Sequence, residues 1–138
     1  MTKRNMAIVS TVPSMVRAFL VNHIKYFIEE FDVTVLTNVS AQQDDLDVLP
    51  NKVTVIDLPI YRSINIRSDI KVLFLLFVFF YKHKIAIVYS GAPKGGLLSM
   101  IAAWAARVPC RVHTFTGQVW VTRSGFSRLF LKWMDRII

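Results

Sequence analysis

Short apolar runs alternate with longer amphipathic segments along the whole chain. The runs at 6–11, 33–37, 52–57, 85–90 and 111–115 are rich in β-branched residues and predict five strands. Apolar residues recur at helical spacing from Val12 to Phe31, and the segments at 69–83 and 95–107 also predict helices. Because strands alternate with helices, we expect an α/β fold built on a doubly wound parallel sheet.

Two helical segments have unusual apolar surfaces. The segment at 70–81 is apolar nearly all round, so we expect another part of the molecule or a partner to bury it. The segment at 125–138 has an apolar face and a basic face, the latter carrying Arg128, Lys132 and Arg136. We expect this helix to pack on the sheet; the alternative is that it lies on an anionic membrane surface.

The composition limits the class of protein. The chain has 138 residues, of which 54% are hydrophobic, enough for one modest domain. No apolar run reaches the ~20 residues of a membrane-spanning helix, and the N-terminus does not resemble a signal peptide. The single cysteine, Cys110, excludes an internal disulfide and is expected to be a buried thiol. A cytoplasmic location is the default expectation.

The charge is distributed unevenly between the two parts of the chain. Residues 1–61 carry a net charge of −2, whereas residues 62–138 carry +10. This asymmetry favours an anionic partner for the second part: phosphates, a membrane surface or nucleic acid. Nucleic acid is disfavoured because the sequence has no RNA-binding aromatic motif, zinc-finger spacing or recognition helix.

A glycine-rich turn at 91–96 indicates an anion site. It joins a predicted strand to a predicted helix, where backbone N–H groups are presented to a ligand, and it contains Lys94. The ends of parallel strands meet at one rim, so residues 10–14, 90–96 and 115–118 should gather there. We therefore expect Pro93, Lys94, Gly95 and Gly96 to bind ligand. The alternative is an ordinary turn with a solvated lysine.

Other side chains near this rim are weaker candidates. His113 could act as a general acid, although a histidine in a strand is more often a core residue. Thr116 and Gly117 could contact a sugar hydroxyl or a phosphate, or Thr116 could simply favour the strand. Arg17 could reach a phosphate or lie in solvent. Three scattered histidines and one cysteine give no metal-site spacing, so we expect no metal.

The two glycine-containing segments carry a resemblance to a known family. Residues 91–98 and 111–117, preceded by Arg62-Ser63-Ile64 and Asp69, resemble the N-terminal half of GT-B glycosyltransferases. The resemblance is strongest to the family-four, retaining enzymes that build bacterial capsule, O-antigen and exopolysaccharide. It covers nearly the whole chain.

The resemblance implies a two-domain enzyme in which the first Rossmann-like domain binds a lipid-linked glycan acceptor and the second binds a nucleotide-sugar donor. Residues 1–138 would then be a single, incomplete acceptor domain that is inactive alone and lacks the donor domain. It implies no cofactor or metal, and a location at the inner face of the cytoplasmic membrane. Pro93 to Gly96 and Thr116-Gly117 would line the cleft, with Ser14 and Arg17 at its acceptor end.

The sequence departs from the family pattern at two places. Thr116 stands where many relatives have a histidine beside the transferred sugar, and Val12-Pro13-Ser14 stands where many have glycines that contact the donor phosphate. The alternative to an enzyme is a non-catalytic, truncated Rossmann-like module that binds an anionic membrane or a protein partner.

Overall fold

The computed structural model describes residues 3–40, 46–115 and 119–138. Five strands form one parallel sheet: β1 (Arg4–Val9), β2 (Phe31–Thr37), β3 (Thr54–Asp57), β4 (Ile87–Ser90) and β5 (Cys110–His113). Their order in the sheet is β3-β2-β1-β4-β5, which is a doubly wound arrangement. The predicted fold class is confirmed.

Helices cover both faces of the sheet. The first helical segment consists of α1 (Pro13–Met15), a π-helical turn (Val16–Leu20) and α2 (Val21–Glu30). The others are α3 (Ile66–Lys82), α4 (Pro93–Ala105) and α5 (Gly125–Ile137), with a 3-10 turn at Val119–Thr122. None of the helices in the described ranges combines the length and the apolar character needed to cross a membrane.

The alternation of side chains along β1 divides the core into two layers. Met6 and Ile8 pack with the first helical segment on one face, while Ala7 and Val9 pack with α3 and α4 on the other. Because successive side chains of a strand point to opposite faces, a strand in the middle of a sheet covered on both sides must be apolar throughout. This explains why the buried part of β1, Met6–Val9, is a continuous apolar run.

Helix α3 has a capped start. The Asn65 side chain accepts a hydrogen bond from the Ser68 N–H at 3.2 Å, and Asp69 accepts one from the Asn65 N–H at 3.3 Å. This reciprocal pair satisfies backbone groups that would otherwise lack partners at the helix start. The predicted helix at 69–83 therefore begins three residues earlier, at Ile66.

The structure tests two expectations about burial. Helix α3 is partly buried by the rest of the chain: Val72, Leu76 and Phe80 face the core, whereas Ile70 and Phe74 are exposed, so burial of its remaining face by a partner stays a prediction. The expectation that Cys110 is buried is wrong: it is exposed, because it begins β5, the last strand of the sheet, whose first three residues are exposed.

Helix α5 also differs from the expectation. None of its side chains is buried, and its apolar residues Phe126 and Leu129 are 83% and 67% exposed. Its basic face instead contacts the Trp120 ring, with Lys132 Nζ 4.5 Å and the Arg128 guanidinium 5.7 Å from the ring centroid. The expected packing of the apolar face on the sheet is therefore wrong.

Candidate functional site

The candidate site lies where the winding of the sheet changes direction. Strands β1 and β4 are parallel neighbours, with Val9 paired to Ser90, but the chain leaves them toward opposite edges of the sheet. In open α/β sheets this divergence leaves a crevice beyond the carboxyl ends of the two strands, where ligands bind. The turns after β1 and β4 form the walls of that crevice.

A cleft of about 520 Å³ occupies this position. The turn after β1 and the first helical segment form one wall, the turn into α4 forms the other, and Arg62 reaches it from the segment before α3. The lining residues are Thr11, Val12, Ser14, Met15, Ala18, Phe19, Arg62, Gly91, Ala92, Pro93 and Lys94. The structure therefore brings together three of the predicted site residues: Ser14, Pro93 and Lys94.

The turn after β1 is held by a buried serine. The Ser10 N–H donates to the Leu36 carbonyl at 3.1 Å, and the Ser10 hydroxyl donates to the Val12 carbonyl at 2.9 Å. Ser10 is fully buried, so these bonds satisfy groups that water cannot reach. They fix the wall of the cleft that carries Ser14.

Lys94 contacts protein rather than open solvent. Its ammonium lies 2.6 Å from Asp69 Oδ1 and donates to the Ser63 carbonyl at 2.5 Å. Both side chains of the ion pair are mostly buried, with 16% and 18% exposure. The Asp69 carboxylate therefore largely neutralises Lys94, and the pair fixes the start of α3 against the start of α4.

The glycines of the second turn permit close packing. A Cβ on Gly95 would lie 3.2 Å from the Thr11 hydroxyl oxygen, which accepts a hydrogen bond from the Gly95 N–H. A Cβ on Gly96 would lie 2.6 Å from His113 Nδ1. The absence of side chains lets α4 approach β1 and β5 closely; that Gly95 and Gly96 also bind ligand stays a prediction.

His113 is half-buried at the end of β5. Its Nδ1 is 2.8 Å from the Ser90 hydroxyl, and its ring meets the Phe115 ring edge-on at 4.5 Å. Its Nε2 is buried and has no hydrogen-bond partner among the described residues. Burial lowers the pKa of His113 below 6.5, and the nearby Asp135 carboxylate opposes this shift. The imidazole is therefore biased toward its neutral form.

The remaining predicted site residues lie elsewhere. Arg17 is exposed on the π-helical turn and is not part of the cleft lining. Thr116 and Gly117 lie outside the described residues, as does Gln118 of the expected rim. The described residues contain no group of histidine, cysteine, aspartate or glutamate side chains that could hold a metal ion.

Sequence reasoning did not propose Arg62 or Phe19 as site residues. Arg62 belongs to a basic segment whose path depends on the contacts of α3, and Phe19 has the spacing of a core residue but is 63% exposed. The π-helical turn widens the helix at this point, which breaks the regular spacing on which the sequence prediction depended. The one indication in the sequence was that Arg62-Ser63-Ile64 forms part of the family resemblance.

The fold and the cleft define a Rossmann-like α/β domain with a cleft at the switch point of its sheet. The structure of UDP-N-acetylglucosamine 2-epimerase from Rickettsia bellii resembles the whole chain, with a TM-score of 0.69 and 19% identity over 36% of that protein. At this identity the likeness shows the fold alone. No protein-family model matches the chain.

Two curated proteins are similar in sequence. The capsular polysaccharide biosynthesis glycosyltransferase CapM of Staphylococcus aureus is 35% identical over 99 residues, or 72% of this chain and 26% of CapM. The UDP-Gal:alpha-D-GlcNAc-diphosphoundecaprenol alpha-1,3-galactosyltransferase of Escherichia coli is 33% identical over 109 residues, or 78% of this chain and 28% of that enzyme. The predicted resemblance to bacterial polysaccharide glycosyltransferases is confirmed. The chain spans about a quarter of the length of these relatives.

Proposed function

We propose that this chain is the acceptor-side domain of a retaining glycosyltransferase that transfers a sugar from a nucleotide-sugar to a lipid-linked glycan. The carrying observation is the cleft at the switch point between β1 and β4, in a chain whose relatives are glycosyltransferases of polysaccharide biosynthesis. The work of this domain is to hold the acceptor against a donor bound mainly by a second domain, at the inner face of the cytoplasmic membrane.

The proposed chemistry needs positioning more than covalent catalysis. Holding two substrates in reactive geometry and stabilising the leaving phosphate can supply most of the acceleration of such a transfer. The Ser14 hydroxyl can donate a hydrogen bond to the acceptor. The side chains of Ala92 and Pro93 are small, which leaves room in the cleft for a sugar. His113, with its neutral ring, and Thr116 are proposed to position the reacting groups, and no cofactor is required.

A fusion experiment tests this function. The chain replaces the matching quarter of the Staphylococcus aureus relative, and transfer from a radiolabelled nucleotide-sugar to a lipid-linked acceptor is measured. We expect transfer by the fusion and none by residues 1–138 alone, because the donor is proposed to be bound mainly by a second domain. A fusion that binds nucleotide-sugar yet transfers nothing would contradict the proposal. Sugar transfer by the isolated chain would contradict the proposed assignment of donor binding to a second domain.

Binding to an anionic membrane surface is a second candidate function, favoured by α5. Phe126, Leu129 and Trp133 on this helix are 83%, 67% and 59% exposed, and the same helix carries three basic residues. An amphipathic helix of this kind binds the interface of an anionic bilayer through both features. Membrane binding through α5 is compatible with the proposed enzyme. It would also be the function of a non-catalytic domain.

Vesicle co-sedimentation tests the second candidate. We expect the chain to sediment with vesicles containing phosphatidylglycerol, less so at high salt, and the double change Phe126→Ser with Leu129→Ser to abolish this. Tyr26→Ser is the matched control, because Tyr26 is 73% exposed but lies in the acidic part of the chain. Equal sedimentation of all variants would exclude α5 as the membrane contact.

A further inference from the structure

We propose that Lys94 is a positioning residue for the cleft: it holds the short segment at 61–64 against the starts of α3 and α4 and does not itself contact the ligand. This inference rests on the proposed function, because it says how that same cleft is kept in shape to receive a substrate. It assigns Lys94 a different role from the ligand binding expected of the glycine-rich turn.

The segment at 61–64 is anchored at both ends. On one side, Ile60 is buried and its carbonyl accepts a hydrogen bond from the Asn38 side chain at 2.9 Å. On the other side, Asn65 caps α3. The residues in between are exposed, and one of them, Arg62, lines the cleft. The position of this segment therefore determines the shape of one side of the cleft.

Lys94 fixes the middle of this segment. Its ammonium donates to the Ser63 carbonyl, 31 positions earlier in the chain, at 2.5 Å and lies 2.6 Å from Asp69 Oδ1. The other carboxylate oxygen of Asp69 accepts a hydrogen bond from the Asn65 N–H at 3.3 Å. The Lys94 side chain thus joins the segment, the start of α3 and the start of α4. Because a site keeps its geometry only when the residues around it are held in place, loss of this junction should loosen the cleft wall.

The ion pair compensates for an unfavourable placement of Lys94. This residue lies in the first turn of α4, where the positive end of the helix dipole disfavours a cation. Asp69 lies in the first turn of α3, where a carboxylate is favoured. Both side chains are mostly buried, so either charge would be poorly solvated without the other. Since Asp69 already balances the charge of Lys94, the ammonium is better suited to holding protein groups than to binding an anionic ligand.

The first test measures the order of the segment by NMR on the whole chain. Backbone order parameters are compared between the original chain and Lys94→Met, which keeps a long side chain but removes its charge. We expect those at 62–64 to fall from the rigid range, near about 0.85, to below about 0.6, while those of β1 do not change. Lys71→Met is the matched control, because Lys71 is an exposed lysine of α3 that does not line the cleft. Unchanged order at 62–64 in Lys94→Met, or an equal loss in Lys71→Met, would overturn the inference.

The second test measures how Lys94 affects the reaction of the fusion enzyme, at a temperature where circular dichroism shows every variant to be folded. Lys94→Met should raise the KM for the acceptor by about tenfold and leave the KM for the nucleotide-sugar unchanged, because a displaced wall affects only the substrate held by this domain. Lys94→Arg should restore most of the affinity, since a guanidinium can also pair with Asp69. A purely structural role would lower the amount of active enzyme, and so the apparent kcat, without changing either KM. That result would overturn the inference.

A double variant separates positioning from direct contact with the ligand. Asp69→Asn removes the carboxylate charge but keeps an oxygen that can accept from the Asn65 N–H. If Lys94 acts by positioning, Lys94→Met combined with Asp69→Asn should lose less acceptor affinity than Lys94→Met alone, because no unpaired carboxylate remains. If Lys94 binds an anionic substrate directly, the double variant should be at least as impaired as the single one, and the inference would be overturned.

The two experiments distinguish a failure of this inference from a failure of the proposed function. A fusion that transfers no sugar with Lys94 intact contradicts the proposed function, and the NMR comparison then decides this inference by itself. Normal transfer by the Lys94→Met fusion, with an unchanged KM for the acceptor, overturns this inference and leaves the proposed function standing.

Discussion

The packing of Gly96 against His113 gives a prediction that can be worked out from the structure. In Gly96→Ala the new Cβ would lie 2.6 Å from His113 Nδ1, well inside van der Waals contact. The ring cannot move aside freely, because Ser90 binds it at 2.8 Å and the Phe115 ring lies against it. The substitution must therefore displace the ring, helix α4, or both.

Opposing effects determine how far Gly96→Ala changes the free energy of unfolding. Overpacking of this kind costs about 1–3 kcal/mol, and loss of the hydrogen bond to Ser90 adds about 1 kcal/mol. Alanine is favoured over glycine in a helix by up to about 1 kcal/mol, which offsets part of this cost. We expect Gly96→Ala to destabilise the fold by about 1–3 kcal/mol, equivalent to a fall in Tm of roughly 3–12 °C for a chain of this length.

A double-mutant cycle measured by urea and thermal unfolding provides the decisive comparison. When His113→Ala has already removed the ring, the clash is absent and only the helix propensity remains. Gly96→Ala should then be neutral or stabilising by up to about 1 kcal/mol, so the sign of its effect reverses. A Gly96→Ala variant as stable as the original protein, with His113 present, would refute this reasoning.

Two further predictions concern charged groups. Because burial lowers the pKa of folded His113 below 6.5, the unfolded chain takes up the proton first; stability should be full above about pH 6.5 and fall below it. His113→Gln should flatten that part of the pH profile of urea unfolding, and an unchanged profile would contradict the assignment. Lys94→Ala should cost about 1–2 kcal/mol by leaving the Asp69 carboxylate unpaired. In a double-mutant cycle with Asp69→Ala, the double variant should lose less stability than the sum of the two single losses. Strict additivity of the losses would mean that the ion pair contributes nothing to stability.

Much of the fold could be predicted from local patterns. The apolar run Met6–Val9 reflects a strand covered on both faces, and the helical spacing that follows it reflects a helix with one buried face. The strand ends then identify the rim at which the turns after β1 and β4 meet. This is why Ser14, Pro93 and Lys94 were correctly expected to lie near one another.

The details of the site depend on contacts that sequence patterns do not contain. Lys94 was predicted to meet a ligand or solvent, but the packing of α3 beside α4 brings Asp69 to it from 25 positions earlier in the chain. The exposure of Phe19 follows from a π-helical turn, which breaks the 3.6-residue period used to predict its burial. Neither feature has a local signature.

The central claim is that the cleft between the turns after β1 and β4 receives the acceptor. The most direct measurement is acceptor-dependent sugar transfer by the fusion enzyme carrying Ser14→Trp, which would fill the cleft, compared with Tyr26→Trp at an exposed position outside the cleft lining. We predict that Ser14→Trp abolishes transfer while the fusion still binds nucleotide-sugar, and that Tyr26→Trp changes neither. Undiminished transfer by Ser14→Trp would contradict the account.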